Sequence, residues 1–358
     1  MLTTARHDPA SLQQLRHDFT ALKTEKKLRN RDAAIALGIS EGEALAAFVG
    51  ERVVRLAPNF IELFESVPQL GSVMALTRNE AAVHEKDGLY QNMSHNGEVG
   101  LVLGGAIDLR VFYQHWASGF AVREATAHGE QKSLQFFDAQ GQAVHKIFLR
   151  EHSDHAAFDA FVERWRAPEQ TAGLTLGEVA APAAVKDDSE IDVPAFHAAW
   201  DAMTDTHQFF GVLRKFGLAR TQALRLAQRH YAQPVGTDVL QNLLVRASET
   251  AVPIMVFVGN RGMIQIHSGP VKTIRVMGTW LNVLDPDFNL HLRTDLIASA
   301  WVVRKPTSDG LVTSLELFDA HGENIAMLFG ARKPGAAELD GWRELVAEIE
   351  PLRDEAAV

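Results

Sequence analysis

His207 heads a run that carries five cations and no acid: Arg214, Lys215, Arg220, Arg225 and Arg229 lie between Thr206 and Thr237, a local charge of +5. Phe209, Phe210, Leu213 and Phe216 follow the imidazole at close to helical spacing. An imidazole beside an apolar wall and a row of cations describes a pocket for a flat, greasy dianion. Haem has those properties: an apolar macrocycle, two carboxylates that take Arg or Lys partners, and an iron that accepts a neutral imidazole. The competing reading is a hydrogen-bonded helix histidine with no ligand.

The elements that position this run belong to a chain of 358 residues, with 35 Lys and Arg against 45 Asp and Glu and a net charge of −10. That balance speaks against broad affinity for nucleic acids or anionic membranes, while leaving room for a local basic face. With no cysteine, disulfides, thiolate metal sites and cysteine nucleophiles are excluded, so any metal must use His, Asp, Glu, Tyr or Met. Arg6, His7, Asp8 and Pro9 are followed by no apolar core of a secretory signal, and the strongly apolar stretch Ala251–Val258 is too short to span a bilayer. The expectation is a cytoplasmic protein without membrane insertion.

The chain repeats itself. Ser133-Leu-Gln-Phe-Phe-Asp-Ala-Gln-Gly141 aligns with Ser314-Leu-Glu-Leu-Phe-Asp-Ala-His-Gly322 at an offset of 181, and Leu37–Leu45 aligns with Phe216–Leu224 at 179. An Ala-, Gly-, Pro- and acid-rich stretch between Ala167 and Pro194 reads as a linker, giving a first repeat over 1–170, a linker over 171–193 and a second repeat over 194–358. Each repeat opens with helical signals (Arg31–Val49; Pro194–Tyr231, broken at Gly217). Strand-like runs follow, assigned in the second repeat to Val252–Val258, Lys272–Val283, Ile297–Val303 and Leu311–Phe318. Each closes on a helix, His155–Trp165 or Ala336–Pro351. Helix, strands, helix is the pattern of an α+β fold with antiparallel sheets.

Two copies of one unit share the same folding requirements, so differences in charge sign between them point to function. Glu41, Glu124 and Glu151 stand opposite Arg220, Lys305 and Arg332, and Leu28 stands opposite His207. The second repeat therefore carries a cationic set with a titratable imidazole. The competing reading is drift of surface charge.

The block Asp205-Thr-His-Gln-Phe-Phe-Gly-Val-Leu-Arg-Lys-Phe-Gly-Leu-Ala-Arg220, together with Ile107–Phe112, His115-Trp116, Phe288–Arg293 and Arg304–Thr307, resembles the HemS/ChuS/PhuS family of cytoplasmic haem-handling proteins. The resemblance covers essentially the whole chain. It implies a duplicated α+β unit with two large antiparallel sheets packed together, and haem as the bound group. It further implies His207 as the proximal iron ligand, Arg110 and Phe112 on the distal face with Arg110 as the reactive candidate, Arg220, Lys305 and Arg332 as propionate-side cations, and Phe257 as an aromatic wall. Phe329 departs from several relatives, which carry a tyrosine near the propionates. Simpler roles are an ion pair of Arg110 with Asp108 or Glu98, and core packing for Phe112 and Phe257.

The activity implied is haem degradation in bacterial haem uptake and iron acquisition, with electrons from an external donor, since no flavin or nicotinamide motif is present. The alternative is non-enzymatic trafficking or storage, delivering haem to a haem oxygenase, with DNA binding as a secondary activity. Partners implied are haem, the electron donor or the accepting oxygenase, a haem importer and a second copy of the chain. His230 and His291 are the other candidate iron ligands. The sequence has no G-x-G-x-x-G, P-loop, G-x-S-x-G or H-E-x-x-H motif.

Overall fold

The computed structural model describes residues 8–178, 185–332 and 335–350. Residues 179–184 of the expected linker, and Pro351 at the end of the expected terminal helix, lie outside these. The first half of the chain forms α1 (Pro9–Glu25), α2 (Asn30–Ala36), α3 (Glu41–Ala46), β1 (Val53–Arg55), α4 (Phe60–Glu65), β2 (Val73–Arg78), β3 (Ala82–Gly88), β4 (Ser94–Asn96), β5 (Val99–Val102), β6 (Asp108–Phe112), β7 (Ser118–Thr126), β8 (Gly129–Phe137), β9 (Ala143–Leu149) and α5 (His155–Trp165). The second half forms α6 (Val193–Asp201), α7 (Gln208–Phe216), α8 (Arg220–Leu226), β10 (Ala232–Val235), α9 (Val239–Thr250), β11 (Ile254–Asn260), β12 (Met263–Gly269), β13 (Ile274–Met277), β14 (Trp280–Asp285), β15 (Phe288–Arg293), β16 (Ser299–Thr307), β17 (Gly310–Phe318), β18 (Asn324–Gly330) and α10 (Asp340–Ile349).

The strands form two nine-stranded antiparallel sheets, ordered β1-β7-β8-β9-β2-β3-β15-β14-β13 and β10-β16-β17-β18-β11-β12-β6-β5-β4. The duplication is written in that order, since β10, β16, β17, β18, β11 and β12 repeat β1, β7, β8, β9, β2 and β3. Lys272–Val283 is a hairpin rather than one strand. Gly278, at φ 62°, turns it between Met277 and Trp280.

The chain divides into two compact units, one built on the chain through Arg78, on Glu85–Ala180 and on Asn260–Gln265, the other on Asn79–His84, Ala181–Gly259 and the remainder from Ile266. In the second unit α9 and α10 bury Leu240, Leu243, Leu244, Trp342, Leu345 and Val346 with Ile254, Val256, Leu315, Leu317 and Leu328 of the strands. The i, i+3, i+4 spacing of the three leucines is what makes α9 a helix with one apolar stripe. A second cluster joins Phe196, Trp200, Phe209, Leu213 and Leu224 of α6–α8 to Val303 and Phe318. Each fully buried phenylalanine contributes about 1.5–3 kcal/mol to holding these helices in place.

The first unit contains a buried polar chain. The Tyr90 hydroxyl lies 2.6 Å from His145 Nε2, Thr77 Oγ1 lies 2.9 Å from His145 Nδ1, and Thr77 donates to Gln265 Oε1 at 2.7 Å. Burial pushes His145 down to about 3 and holds Tyr90 well above the ordinary phenol value, so both stay neutral. No helix among the described residues is long and apolar enough to cross a membrane.

Candidate haem-binding site

His207 immediately precedes α7, whose C-terminus is closed by Gly217 in the left-handed conformation (φ 69°, ψ 34°) with its N–H donating to Leu213 and Arg214 carbonyls. Asp205 sets the histidine: its Oδ1 accepts the His207 backbone N–H at 2.7 Å and lies 2.6 Å from His207 Nδ1. A carboxylate at that distance calls for the proton on Nδ1, which leaves the Nε2 lone pair for a metal. The His207 side chain is 88% exposed, so Nε2 is reachable. The backbone and then the ring hydrogen bonds from His207 hold Asp205 below the usual carboxylate range, and the charge of Arg332 adds to this. The preceding turn is pinned by Thr204, whose N–H donates to Gln208 Oε1 and whose carbonyl accepts from Ser308 N–H, both at 2.9 Å.

The strands of the same unit present a face by register. Ser314 pairs with Phe329 and Glu316 with Met327, while Met255 pairs with Phe329 and Phe257 with Met327. Met255, Phe257, Met327 and Phe329 are half-buried, and the Phe257 and Phe329 rings meet edge-on at 5.0 Å. The fold thus brings the expected wall residue Phe257 against Phe329, the residue expected on the propionate side. Phe329 supplies ring surface and no hydroxyl.

Arg220 and Lys305 are also brought together, but around an anion. Arg220 Nε and Nη2 each donate to the Glu316 carboxylate at 2.8 Å, and Lys305 Nζ donates to the same group at 2.7 Å. Glu316 is fully buried, with the Lys305 side chain only 4% exposed and that of Arg220 27%. Burial pushes the Glu316 carboxyl up, yet the charges of Arg220 and Lys305 together outweigh it and hold it well below the usual range. Burial lowers Lys305, opposed by Glu316. Phe209 lies 5.2 Å from the Arg220 guanidinium and 4.9 Å from Lys305 Nζ. The three charged groups carry a net +1, less than the cationic set read from the sequence.

The repeat explains that arrangement. In the first unit Glu41, at the start of α3, is buried against Lys146 of β9 at 2.5 Å. At the repeat offset Lys146 falls on Met327 and Gln135 on Glu316. Each copy therefore ties the first residue of an equivalent helix to its sheet by a buried ion pair, with the signs exchanged. The reversal at Glu41 and Arg220 is balanced inside each fold and does not by itself require a ligand. Glu124, opposite Lys305, is likewise paired, with Lys23.

Arg332 Nη2 lies 3.4 Å from Asp309 Oδ2, with the arginine 18% exposed. In the other unit Arg110, on β6, is ion-paired with Asp108 and donates to the Leu109 carbonyl at 3.1 Å. That is one of the simpler roles weighed from the sequence. Phe112 ends the same strand, half-buried. His230 is exposed against the Tyr231 ring at 4.1 Å, and His291 Nδ1 lies 2.7 Å from Asn282 Oδ1.

Asp205 and Glu316 are neighbours of the candidate residues, and sequence reasoning did not single them out. Both left a signal: Asp205 sits two residues before the histidine, where an Asx turn forms, and Glu316 replaces Gln135 inside the aligned repeat block. Among the described residues no three His, Asp or Glu side chains cluster to hold a bare ion. A lone imidazole with a free Nε2 instead suits a metal whose remaining ligands come from its own macrocycle.

Comparison with known proteins agrees in extent. The haemin-degrading HemS.ChuX domain matches residues 38–165 and 217–349, one match in each repeat. The hemin transport protein HmuS of Yersinia pestis is 42% identical over 323 residues, 89% of this chain and 92% of that protein. The crystal structure of holo-PhuS, a heme-binding protein from Pseudomonas aeruginosa, superposes with a TM-score of 0.93 at 50% identity, covering 96% of this chain and all of that one. ChuS, the heme degrading enzyme of Escherichia coli O157:H7, gives a TM-score of 0.89 at 38% identity over 95% of this chain and all of that one. The chain belongs to the HemS family of haemin-handling proteins.

Proposed function

We propose that this protein binds haem through His207 Nε2 and opens the macrocycle oxidatively, with dioxygen as the oxidant and electrons from an external donor to activate it, within a bacterial haem-uptake and iron-acquisition route. The observation that carries the reading is the His207–Asp205 pair: an exposed imidazole with its Nδ1 side locked on a carboxylate. The half-buried Met255, Phe257, Met327 and Phe329 offer an apolar surface in the same unit. Arg332 is the expected propionate partner least engaged, its Asp309 contact being long, whereas Arg220 and Lys305 bring only the charge left by Glu316.

Haem supplies the redox-active iron when bound. The chain's part is to hold it by His207, to keep the ligating imidazole basic through Asp205, and to bring a fixed positive hydrogen-bond donor, Arg110, to the other face, the role the family resemblance implies. Phe112 is assigned to that face on the same ground. Delivery of intact haem to an acceptor is the second reading. The exposure of His207, which leaves the ligand open to exchange, and the engagement of Arg110 by Asp108 favour it.

Titrating hemin into wild type and His207→Ala, following the Soret band, tests the binding. The expected result is a saturable one-to-one shift in wild type, weakened or altered in the variant. An unaltered shift in His207→Ala moves the iron elsewhere, and no saturable shift in wild type removes haem. Ascorbate with catalase then separates the two activities: a ring-opened product supports degradation, and intact haem passing to an apoprotein acceptor supports delivery.

A further inference from the structure

We propose that Gly211 is a clearance residue for the bound macrocycle, keeping the surface of α7 bare one turn beyond His207 so that a flat ring ligated there can lie against the helix. The inference rests on the haem reading above and adds a positioning residue to it.

Glycine is the poorest helix former after proline, so a helical glycine needs a reason. Among the described residues three glycines lie inside helices. A side chain on Gly42 would meet the Gly141 backbone at 3.0 Å, and one on Gly341 would meet Val252 at 2.9 Å, so packing explains both. Gly211 has nothing within 4 Å of where its side chain would stand, and it is exposed. Its backbone dihedrals are not in the left-handed region either. Neither packing nor conformation within the protein calls for it.

The repeat shows that the fold does not require glycine there. At the offset that sets Leu28 opposite His207, Gly211 falls opposite Asp32, an exposed residue within α2. The first copy thus carries an ordinary side chain at the position four residues beyond its leucine. The second copy has no side chain there, in the same turn that carries the imidazole.

What surrounds Gly211 is matched to a macrocycle. His207 and Gly211 are i and i+4, on one stripe of the helix, and Arg214 continues it. Phe210 beside them is 68% exposed, the most exposed of the large apolar side chains among the described residues. The Arg214 guanidinium lies 5.9 Å from its ring. A Lewis base, bare backbone, an uncovered phenyl ring and a cation follow one another along one face of α7.

The test compares hemin titrations and apoprotein melting for Gly211→Ala, Gly211→Leu and His207→Ala. Alanine and leucine are both better helix formers, so both variants should fold, and Gly211→Ala should raise the apoprotein Tm by about 2 °C. Hemin affinity should fall in the opposite sense, modestly for alanine and by about ten- to a hundredfold for leucine, the range of an overpacked contact. Wild-type affinity and Soret spectrum in Gly211→Leu, with His207→Ala weakened, would overturn the clearance role and leave the ligand standing. Wild-type binding in His207→Ala would overturn the haem reading at this helix, and the role of Gly211 with it.

Discussion

Replacing Glu316 by glutamine removes one charge and almost no volume, and the structure makes the consequence large. Glutamine retains an acceptor for Lys305 and part of the Arg220 fork. Two cations, one 4% and the other 27% exposed, then lose the only anion among the described residues to which they donate. Leaving buried charge uncompensated costs about 3–5 kcal/mol. The partial exposure of Arg220 and the retained acceptor place Glu316→Gln at the lower end, about 3 kcal/mol, or about 6–12 °C in Tm for a unit of this size. Because the Glu316 pKa is lower in the folded protein than its ordinary 4.5, its stabilisation is complete above that pH and is lost as the pH falls through the folded value. The gap between wild type and variant in urea unfolding should therefore be full near neutrality and should narrow below about pH 4.5. Two further variants sharpen the assay. Glu316→Gln with Lys305→Met removes one charge of each sign and should recover part of the loss. Arg220→Glu with Glu316→Gln and Met327→Lys rebuilds the polarity of the first repeat and should be more stable than Glu316→Gln alone. A loss under about 1 kcal/mol, or a gap that does not narrow in acid, would refute the claim that this cluster holds the helix to its sheet.

Three other outcomes follow from the geometry. Asp205→Asn should weaken hemin binding about tenfold in a Soret titration while leaving the apoprotein Tm unchanged, because it removes the partner that orients the ligating ring and raises its basicity. Arg110→Ala should lower the rate of ring opening at least about tenfold with hemin affinity changed much less; equal turnover in the variant would reassign Arg110 to its pairing with Asp108. Tyr90→Phe should cost about 1–3 kcal/mol, read by urea unfolding, since it leaves one nitrogen of the fully enclosed His145 without its partner. The His145 pKa is depressed in the folded protein, so this site favours the folded state less as the pH falls from 6.5 toward 3, whether or not Tyr90 is present.

How much of this was legible varies with the range over which the signal acts. The helix His155–Trp165 reads correctly to the residue, because Phe158, Phe161 and Val162 mark one apolar face and Asp154 caps it. α1 escapes notice because its 17 residues bury only Leu12 and Phe19, too sparse for a stripe, although Asp8-Pro9 is a fair start signal. α9 was legible in Leu240, Leu243, Leu244 and Ala247, yet no helix is assigned there. His207 is visible because its aromatic and cationic neighbours are local in sequence. Glu316 is not, since it lies 96 residues from Arg220 and the two meet only once α8 docks on the sheet.

The duplicated fold sharpens the rule for reading such chains. A buried ion pair between helix and sheet is a requirement of each copy, but its polarity is not: Glu41 with Lys146 and Arg220 with Glu316 do the same mechanical work. A sign change between repeats therefore counts toward function only when no group of the same copy compensates it. By that test the reversal at Arg220 is accounted for by folding, and Lys305 shares its counter-ion. The exchanges of Leu28 for His207 and of Asp32 for Gly211 are different. His207 is engaged by Asp205 at Nδ1 and not at Nε2, and Gly211 leaves bare a position that Asp32 fills in the first copy. On the haem reading proposed above, these two differences, an open nitrogen and a missing side chain four residues apart, are where the second repeat would hold its ligand.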